Sequence, residues 1–173
     1  MSEKINHTKL KEMEKDLGII FSDNGEFAEM SLDLQNYFEQ TKPILDVEYR
    51  FYDGDINELK EKVFIVDRKW PQYFNSGDLI FCGYYKGQLA SFCTVDEDLD
   101  CIISSKGIKT GSIGCVGTFS EFRKKGIGLR MVDLATVYLK EKGCDKSYIS
   151  YTHIEKWYGK LGYKTFARFS LRK

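Results

Sequence analysis

The feature that most constrains the fold of this chain is a basic, glycine-bearing turn, FRKKGIG, at residues 122–128. Three consecutive cations precede two glycines that flank Ile127. The segment before the turn, GSIGCVGTF, has the pattern of a strand, and the segment after it has apolar residues at the spacing of one helical face. These apolar residues are Ile127, Met131, Leu134, Ala135 and Tyr138. The turn therefore joins a strand to an amphipathic helix, for which Gly143 is a plausible C-terminal stop.

Strand and helix patterns follow one another from Val47 onward. VEYRFY alternates as a strand does, and DGDINELKEKVFIVDRKW predicts a helix capped by Asp53 or Asp55. LIFCGYY and QLASFCTV predict a hairpin joined at Lys86-Gly87, and a further strand pair is expected at residues 101–104 and 111–119. After the central helix come SYISYT as a strand, EKWYGKLG as a short helix and YKTFARFSLR as a final strand. This order predicts an α/β fold of the α+β type, a mixed sheet with helices packed on it.

The first 45 residues carry weaker patterns. Residues 8–17 have helical propensity with a thin apolar stripe, and Asn24-Gly25 is typical of a tight hairpin. Residues 31–40 predict a second short helix, ended by Lys42-Pro43. We therefore divide the chain into an N-terminal extension, residues 1–45, packed on or beside a single domain of residues 46–173.

Composition and charge limit the class of protein. The 42% hydrophobic and 14% aromatic content argues against disorder, and no apolar run approaches the roughly 18 residues of a membrane span. The polar N-terminus does not resemble a secretory signal, and five cysteines without a C-x-x-C pair favour reduced thiols and a cytoplasmic location. Residues 1–60 hold 7 Lys/Arg and 14 Asp/Glu, whereas residues 120–173 hold 13 and 5. This asymmetry suits an enzyme with an anionic cofactor and a cationic substrate, although solvated surface explains it equally well.

The turn at residues 122–128 has the chemistry of a phosphate site. A glycine-bearing turn before a helix exposes backbone N–H groups without intrahelical partners, and the helix dipole adds about 0.3–1 kcal/mol for an anion. Arg123 and its two lysine neighbours add charge, and the glycines allow close approach of the backbone. Glycines at 111, 114 and 117 in the preceding strand would likewise admit a cofactor arm. The alternative is an ordinary basic turn that opens a surface helix.

Two other phosphate-binding motifs are excluded. A P-loop requires G-x-x-x-x-G-K-[ST], which the chain lacks, and a dinucleotide fingerprint requires three glycines after the first strand of a βαβ unit. The remaining pattern is R-x-x-G-x-G between a strand and a helix. VGTFSEFRKKGIGLRMV resembles the cofactor motif of the GNAT superfamily of acyl-CoA-dependent N-acyltransferases, and WYGKLGY (residues 157–163) resembles the second signature of that family.

The resemblance, which covers roughly residues 47–173, implies a GNAT-like fold. The expected sheet is central, mostly antiparallel, twisted, splayed at the cofactor strand and flanked by helices on both faces. The acyl donor implied is acetyl-CoA, with no metal. The resemblance implies that backbone groups of Val116 and Thr118 pair with the pantetheine arm of the donor, and that the residues of the turn surround its pyrophosphate. The implied cofactor-binding set is Val116, Gly117, Thr118, Arg123, Lys124, Lys125, Gly126, Ile127, Gly128 and Leu129.

The resemblance assigns the catalytic role to Tyr158, whose hydroxyl would protonate the departing thiolate. A tyrosine with a pKa of about 10 keeps its proton at pH 7, as a general acid must. Two positions depart from the family pattern, because Tyr151 and Ile154 stand where Asn and Ala are common. This departure puts the usual pantetheine contacts from that side in doubt. The alternative for Tyr158 is an aromatic ring packed at the sheet edge.

The acceptor side is less defined. Direct transfer needs a base, because a lysine-like amine with a pKa of about 10.4 is almost fully protonated at pH 7. No base is assigned: the carboxylates considered are Asp96, Glu97 and Asp98, with Glu48 and Glu121 as poorer candidates. His153 is more plausibly a satisfied or solvent-facing histidine, and a metal site is not expected. The aromatic residues Trp70, Tyr73 and Phe74 either contact the substrate or pack in the core.

The sequence thus predicts an N-acetyltransferase that moves an acetyl group from acetyl-CoA to a primary amine by direct attack in a ternary complex. The rival prediction is a catalytically silent coenzyme-A-binding sensor or assembly module, which would need the turn but not Tyr158. The expected partner is a small-molecule or peptide amine, with no nucleic acid and no membrane, and a homodimer is left open. The identity of the acceptor and the acyl-chain preference are not predicted.

Overall fold

The computed structural model describes residues 3–172 of the chain. Its helices are α1 (His7–Leu17), α2 (Ile56–Val66), α3 (Ile127–Glu141) and α4 (Glu155–Gly159). Its strands are β1 (Ile19–Phe21), β2 (Phe27–Asp33), β3 (Val47–Phe51), β4 (Leu79–Tyr85), β5 (Gln88–Asp96), β6 (Thr110–Thr118), β7 (Lys146–Thr152) and β8 (Lys164–Leu171). Two short 3-10 turns lie at Trp70–Tyr73 and Ser120–Phe122.

The strands form a mixed sheet in the order β1-β8-β2-β7-β6-β5-β4-β3. Strands β6 and β7 are parallel, whereas β1/β8, β2/β7, β2/β8, β3/β4 and β4/β5 are antiparallel. Pairing between β6 and β7 covers only Thr110 to Ser112 of β6, although that strand continues to Thr118. The predicted fold class, a mostly antiparallel mixed sheet flanked by helices and splayed at β6, is confirmed.

The chain forms two compact units. We call residues 3–37, 97–112 and 139–172 the terminal unit, and residues 38–96 and 113–138 the central unit. The predicted division of the chain at residue 45 stays a prediction. The N-terminal segment nevertheless contributes α1, β1 and β2 to the terminal unit.

In the terminal unit, β2 is held on both sides. It pairs with β7 and with β8, and Ala28 and Met30 within it are buried. A small core of Ile102, Ile103 and Tyr148 receives side chains from α1. The helix predicted at residues 8–17 is confirmed, and Asn6 caps it by accepting bonds from two backbone N–H groups.

In the central unit, the core surrounds the aromatic ring of Phe92. Leu59 and Val63 of α2 and Phe74 are buried in the same cluster. Helix α2 begins as predicted, because the Asp55 side chain accepts from the N–H of Asn57. The β4–β5 hairpin is also confirmed, with positive φ at both Lys86 and Gly87, as a two-residue type I′ turn requires.

Two N-terminal predictions are wrong. The turn at Asn24-Gly25 does not close a hairpin, because β8 lies between β1 and β2. Gly25 is required there by a close approach: a Cβ at this position would lie 2.3 Å from the backbone nitrogen of Phe169. The helix predicted at residues 31–40 is replaced by the end of β2 and an irregular segment, because pairing with two neighbouring strands overrides its helical propensity.

The strand expected at residues 101–104 is also wrong. These residues form a turn in which the Ser104 hydroxyl accepts from the N–H of Cys101. Ile102 and Ile103 are buried in the core of the terminal unit. Their apolar pattern therefore reflects a loop that fills the core, and the expected partner at residues 111–119 is β6 alone.

Candidate functional site

The strand before the basic turn contains a break in its extended backbone. Cys115, in the middle of β6, has a φ of 46°, which residues with a Cβ rarely adopt. A single left-handed residue changes the direction of the backbone groups that follow it, here those of Val116. Burial raises the pKa of the Cys115 thiol to about 12, so the thiol is neutral at pH 7.

The glycines of β6 have neighbours on β5. A Cβ on Gly117 would lie 2.3 Å from the ring of Phe92, and a Cβ on Gly114 would lie 3.0 Å from the Thr94 hydroxyl. Packing of Phe92 therefore explains Gly117 without any ligand. Val116 and Thr118, which the sequence predicts to bind the donor, flank this glycine and are half-buried.

The basic turn is anchored at both of its sides. Phe122 is buried in the core of the central unit, and the Nε of Arg123 donates to the Thr118 carbonyl at 2.9 Å. Lys124 and Gly126 both have left-handed backbones, with φ of 62° and 79°. Successive N–H groups around left-handed residues form concave sites for anions. The turn therefore has the backbone shape of an anion site.

Helix α3 begins directly after this turn. The N–H of Arg130 donates to the carbonyl of Gly126 at 3.0 Å, so the N–H groups of the first three helical residues have no intrahelical acceptor. Those residues are Ile127, Gly128 and Leu129. The first turn contains no acidic residue that would oppose an anion at the positive end of the helix dipole. The hydroxyl of Tyr49 donates to the carbonyl of buried Ile127 at 3.0 Å and so fixes the first turn in place.

The three cations of the turn are exposed and lack acidic partners. Among the described residues, no carboxylate lies within 4.0 Å of Arg123, Lys124 or Lys125. The ammonium of Lys125 lies 5.3 Å from the ring centroid of Tyr85 and 5.7 Å from that of Phe122. Cation–π contacts of this kind stabilise the position of a charge without neutralising it. The turn therefore presents net positive charge to solvent.

Tyr158 lies in the terminal unit, on α4. It is 4% exposed, and its ring contacts those of Trp157 and Tyr163 at centroid distances of 4.9 and 6.2 Å. Tyr163 in turn shares a 2.7 Å hydrogen bond with the hydroxyl of Ser147 on β7. The second signature of the sequence therefore folds as an aromatic cluster, and the role of Tyr158 stays a prediction.

The three aromatic residues predicted to contact the acceptor have different surroundings. Phe74 is completely buried and packs edge-to-face on Phe92 at 5.6 Å. Trp70 is half-buried at the border of the same cluster. Tyr73 is 56% exposed and can contact a ligand without rearrangement.

The carboxylates considered as bases are spread over the chain. Asp96 ends β5, Glu97 and Asp98 follow it, and the carbonyl of Glu97 accepts from the Cys144 thiol. Glu48 lies 3.7 Å from the guanidinium of Arg50, and Glu121 accepts from the hydroxyl of the neighbouring serine. His153 is exposed, with its ring 6.4 Å from that of Phe27. None of these placements singles out a base.

Sequence analysis missed the most unusual carboxyl group, that of Glu29. It is completely buried on β2 and accepts hydrogen bonds from the hydroxyls of Tyr148 and Ser150 and from the N–H of Tyr151. Burial raises its pKa to about 7, against the lowering effect of those hydrogen bonds. The available signal was a single acidic residue inside the apolar segment FAEMSL.

A second missed cluster ties an irregular segment to α3. The carboxylate of buried Asp133 accepts from the N–H groups of Gln40 and Thr41 and from the Thr41 hydroxyl. The guanidinium of Arg130 donates to Glu39 at 2.8 Å and to the carbonyl of Thr41 at 2.8 Å. The first half of α3 is thus braced by residues 39–41 of the same unit.

The described residues contain neither a group of metal ligands nor a helix suited to cross a membrane. Within residues 3–172, no group of three or more His, Cys, Asp or Glu side chains is arranged to hold a metal ion. No helix in the same range is long and apolar enough to cross a membrane.

Comparison with solved structures supports the fold. A GCN5-related glucosamine N-acetyltransferase region of a fungal multi-domain GH3 β-N-acetylglucosaminidase is 18% identical, with a TM-score of 0.72 over 97% of this chain and 23% of that one. A GCN5-related N-acetyltransferase from Kribbella flavida is 13% identical, with a TM-score of 0.60 over 92% of this chain and 61% of that one. A functionally unknown conserved protein from Staphylococcus epidermidis is 17% identical, with a TM-score of 0.59 over 96% of this chain and 66% of that one. The chain therefore spans less than two thirds of the length of these proteins, and likeness at such identities shows the fold alone.

Comparison with sequences identifies the family. None of the curated proteins compared with this chain matches it significantly. The family model described as "Acetyltransferase (GNAT) family" matches residues 36–163, which include the basic turn, α3 and the second signature. The chain belongs to the GNAT family of acetyltransferases.

Proposed function

We propose that this protein is an N-acetyltransferase that transfers an acetyl group from acetyl-CoA to a primary amine. The observation that carries the proposal is the turn at residues 122–128, where left-handed backbone, unpartnered helical N–H groups and unpaired cations coincide. An anion with several negative charges, such as the pyrophosphate of coenzyme A, suits such a site. Membership of the GNAT family supports acetyl-CoA as the donor.

In the proposed donor complex, backbone groups of the turn and of the start of α3 bind the pyrophosphate. Arg123, Lys124 and Lys125 add positive charge around it, and Val116 and Thr118 pair with the pantetheine arm along β6. The left-handed backbone at Cys115 supports this role, because it turns the backbone groups of Val116 away from the regular strand direction. Backbone N–H groups there would polarise the thioester carbonyl.

In the proposed reaction, the neutral amine attacks the thioester carbon directly. A carbon–nitrogen bond forms, the carbon–sulfur bond breaks, and Tyr158 gives its proton to the departing thiolate. Trp70 and Tyr73 are the proposed acceptor contacts, with Phe74 supporting them from the core. The cytoplasmic location, the absence of nucleic-acid and membrane partners, and the open question of a homodimer stay predictions.

The first test is calorimetric titration of acetyl-CoA into wild type, Gly126→Asp and the control Gly107→Asp. Gly107 also has a left-handed backbone, with φ of 80° and nothing within 4 Å of an added Cβ, so the control carries the same substitution away from the turn. We expect micromolar binding that only Gly126→Asp abolishes, since a carboxylate there would repel the pyrophosphate. If wild type does not bind acetyl-CoA, the chain shares the fold of the family without its donor site, and the proposed function is wrong.

The second test is thiol release from acetyl-CoA in the presence of amines. Glucosamine comes first, because one structural neighbour carries a glucosamine N-acetyltransferase region, followed by alkylamines and lysine peptides. We expect Tyr158→Phe to lower kcat about 100-fold with KM for acetyl-CoA unchanged, as loss of a general acid requires. Binding of acetyl-CoA without turnover of any amine would favour the silent binding module instead.

A further inference from the structure

The terminal unit contains a buried carboxyl group that the proposed reaction does not use. Glu29 is 0% exposed, and its Oε1 accepts from the Ser150 hydroxyl at 2.9 Å and from the N–H of Tyr151 at 3.2 Å. Its Oε2 accepts from the hydroxyl of Tyr148. Burying a carboxyl group in a strand costs free energy of desolvation, which these three hydrogen bonds offset only in part.

The backbone around Glu29 is irregular in a way that places this side chain. The register of β2 shifts between Ala28 and Met30 against β7, and between Glu29 and Met30 against β8. Both ladders are therefore interrupted at Glu29. Irregularities of this kind change the direction of a side chain and are over-represented beside active sites.

Of the two hydroxyls that donate to Glu29, one belongs to an exposed residue and one to a buried residue. Ser150, which donates to Glu29, is an exposed residue near the end of β7. Its neighbour Tyr151 is 42% exposed, has a φ of 58° and contacts the ring of Phe27 at 4.5 Å. An ammonium group is attracted by aromatic faces and by a nearby carboxylate, so this surface suits a protonated amine.

Few other charges act on Glu29. On β7 its neighbours are the two tyrosines and Ser150, and burial together with the Glu29 carboxylate raises the pKa of Tyr148. On β8 the charged residue nearest in register is Arg168, opposite Ala28, and its guanidinium is bound by Glu155 of α4. From the loop, the thiol of Cys101 also acts on Tyr148. The pKa of Glu29, about 7, thus follows from burial more than from charge.

We propose that Glu29 accepts the proton of the acceptor ammonium through the hydroxyl of Ser150. The inference rests on the proposed N-acetyltransferase function and supplies the base that the sequence left unassigned. Ser150 would touch the acceptor, and Glu29 would act through Ser150. The β7 strand that carries Ser150 leads directly to α4, which carries Tyr158 in the same unit.

The proton balance of the step is closed. The ammonium passes one proton to the Ser150 oxygen as the Ser150 proton moves to the Glu29 carboxylate. The neutral amine then forms the carbon–nitrogen bond, and the second proton lost by nitrogen balances the proton that the thiolate takes. One proton is released in each turnover, and it leaves from Glu29 to solvent.

The test is the pH dependence of kcat/KM for acetyl transfer to an alkylamine or lysine peptide with a pKa of about 10.4. The variants are Glu29→Gln, Ser150→Ala and Ser150→Thr, with Glu26→Gln as a matched control, because Glu26 is an exposed glutamate just before β2. In wild type we expect kcat/KM to rise to a plateau with a midpoint near pH 7. Glu29→Gln and Ser150→Ala should lower the value at pH 7 about 100-fold and shift the midpoint toward the pKa of the amine.

The conservative variant separates catalysis from structure. Ser150→Thr retains the hydroxyl and should keep the midpoint near pH 7, as should Glu26→Gln. A Glu29→Gln or Ser150→Ala variant whose midpoint is unchanged would overturn the inference while leaving the N-acetyltransferase function in place. Wild type that transfers acetyl groups to no amine would instead overturn the proposed function, and the inference with it.

Discussion

At the scale of single residues, Glu29 makes the stability of the terminal unit dependent on pH. Its pKa is about 7 in the folded chain and about 4.3 in an unfolded one. At pH values between these two, the folded state therefore binds more protons than the unfolded state. The stability that protonated Glu29 contributes is fully present below about pH 4 and is lost as the pH rises through 7. Between these two pKa values, the free energy of unfolding falls by about 1.4 kcal/mol for each unit by which the pH rises.

We expect the Glu29→Gln variant, which does not titrate, to gain stability relative to the parent protein as the pH rises from 5 to 8. The gain should be about 3 kcal/mol in the free energy of unfolding. Urea unfolding in a Trp70→Phe background measures it, because the remaining tryptophan, Trp157, lies in the terminal unit. A difference between the two proteins that stays constant from pH 5 to 8 would show that Glu29 has an ordinary pKa.

The predictability of single residues depends on whether their role is local. The turn from Arg123 to Gly128 was recognisable because its cations, glycines and helix start are adjacent in sequence. Glu29 was not, because its three donors come from β7, more than 100 residues away. Nothing in FAEMSL indicates that tyrosine and serine hydroxyls will meet the carboxylate.

At the scale of elements, the first half of α3 is held in place by the buried polar side chains of Arg130 and Asp133. Replacing Asp133 by Ala would remove the acceptor of two backbone N–H groups and of the Thr41 hydroxyl. A buried donor left unpaired costs about 1–3 kcal/mol. Because Gln40 is exposed and Thr41 is half-buried, water can satisfy part of these donors, and we expect a loss of about 2 kcal/mol in the free energy of unfolding. Asp133→Asn, which keeps one acceptor oxygen, should lose less.

Urea unfolding in a Trp157→Phe background measures this loss, because Trp70 then reports on the central unit. Glu141→Ala, at the exposed end of the same helix, serves as the control for helix propensity. A loss for Asp133→Ala no greater than that of the control would mean that residues 39–41 do not brace α3.

Helices and strands were predictable where the spacing of apolar residues in the sequence matched the face that is buried in the structure. Residues 127–141 show one helical face, and so α3 was found. Ile127, Met131 and Ala135 of that face are buried, whereas Leu134 and Tyr138 are half-buried. Strand β2 was mistaken in part for a helix because both of its edges are paired and it lacks the simple alternation of a half-buried strand. The turn at residues 101–104 was mistaken for a strand because its isoleucines are buried by a loop.

At the scale of the whole molecule, the chain order differs from the order in space. The early strand β2 is inserted between β7 and β8, which are close to each other in sequence. The terminal unit therefore cannot complete its sheet until residues far apart in the chain have met. Contacts of this separation are costly in loop-closure entropy and are expected to form late in folding.

This topology predicts different effects for two N-terminal deletions. Removing residues 1–17 deletes α1, which has no fully buried residue, and should leave a cooperatively folded protein of reduced stability. Removing residues 1–33 also deletes β1 and β2, which leaves backbone groups of β7 and β8 unpaired and removes the buried Ile19, Ala28 and Met30. We expect this longer deletion to abolish cooperative unfolding and to cause aggregation through the exposed strand edges.

Thermal unfolding followed by circular dichroism, with light scattering at the same temperatures, separates the two outcomes. A sharp transition in the shorter deletion and none in the longer one would show that the segment containing β1 and β2 is an integral part of the terminal unit. A sharp transition in both would mean that β7 and β8 can close the sheet without β2. Because Glu29 lies on β2, that second result would also separate the integrity of the fold from the presence of its buried carboxyl group.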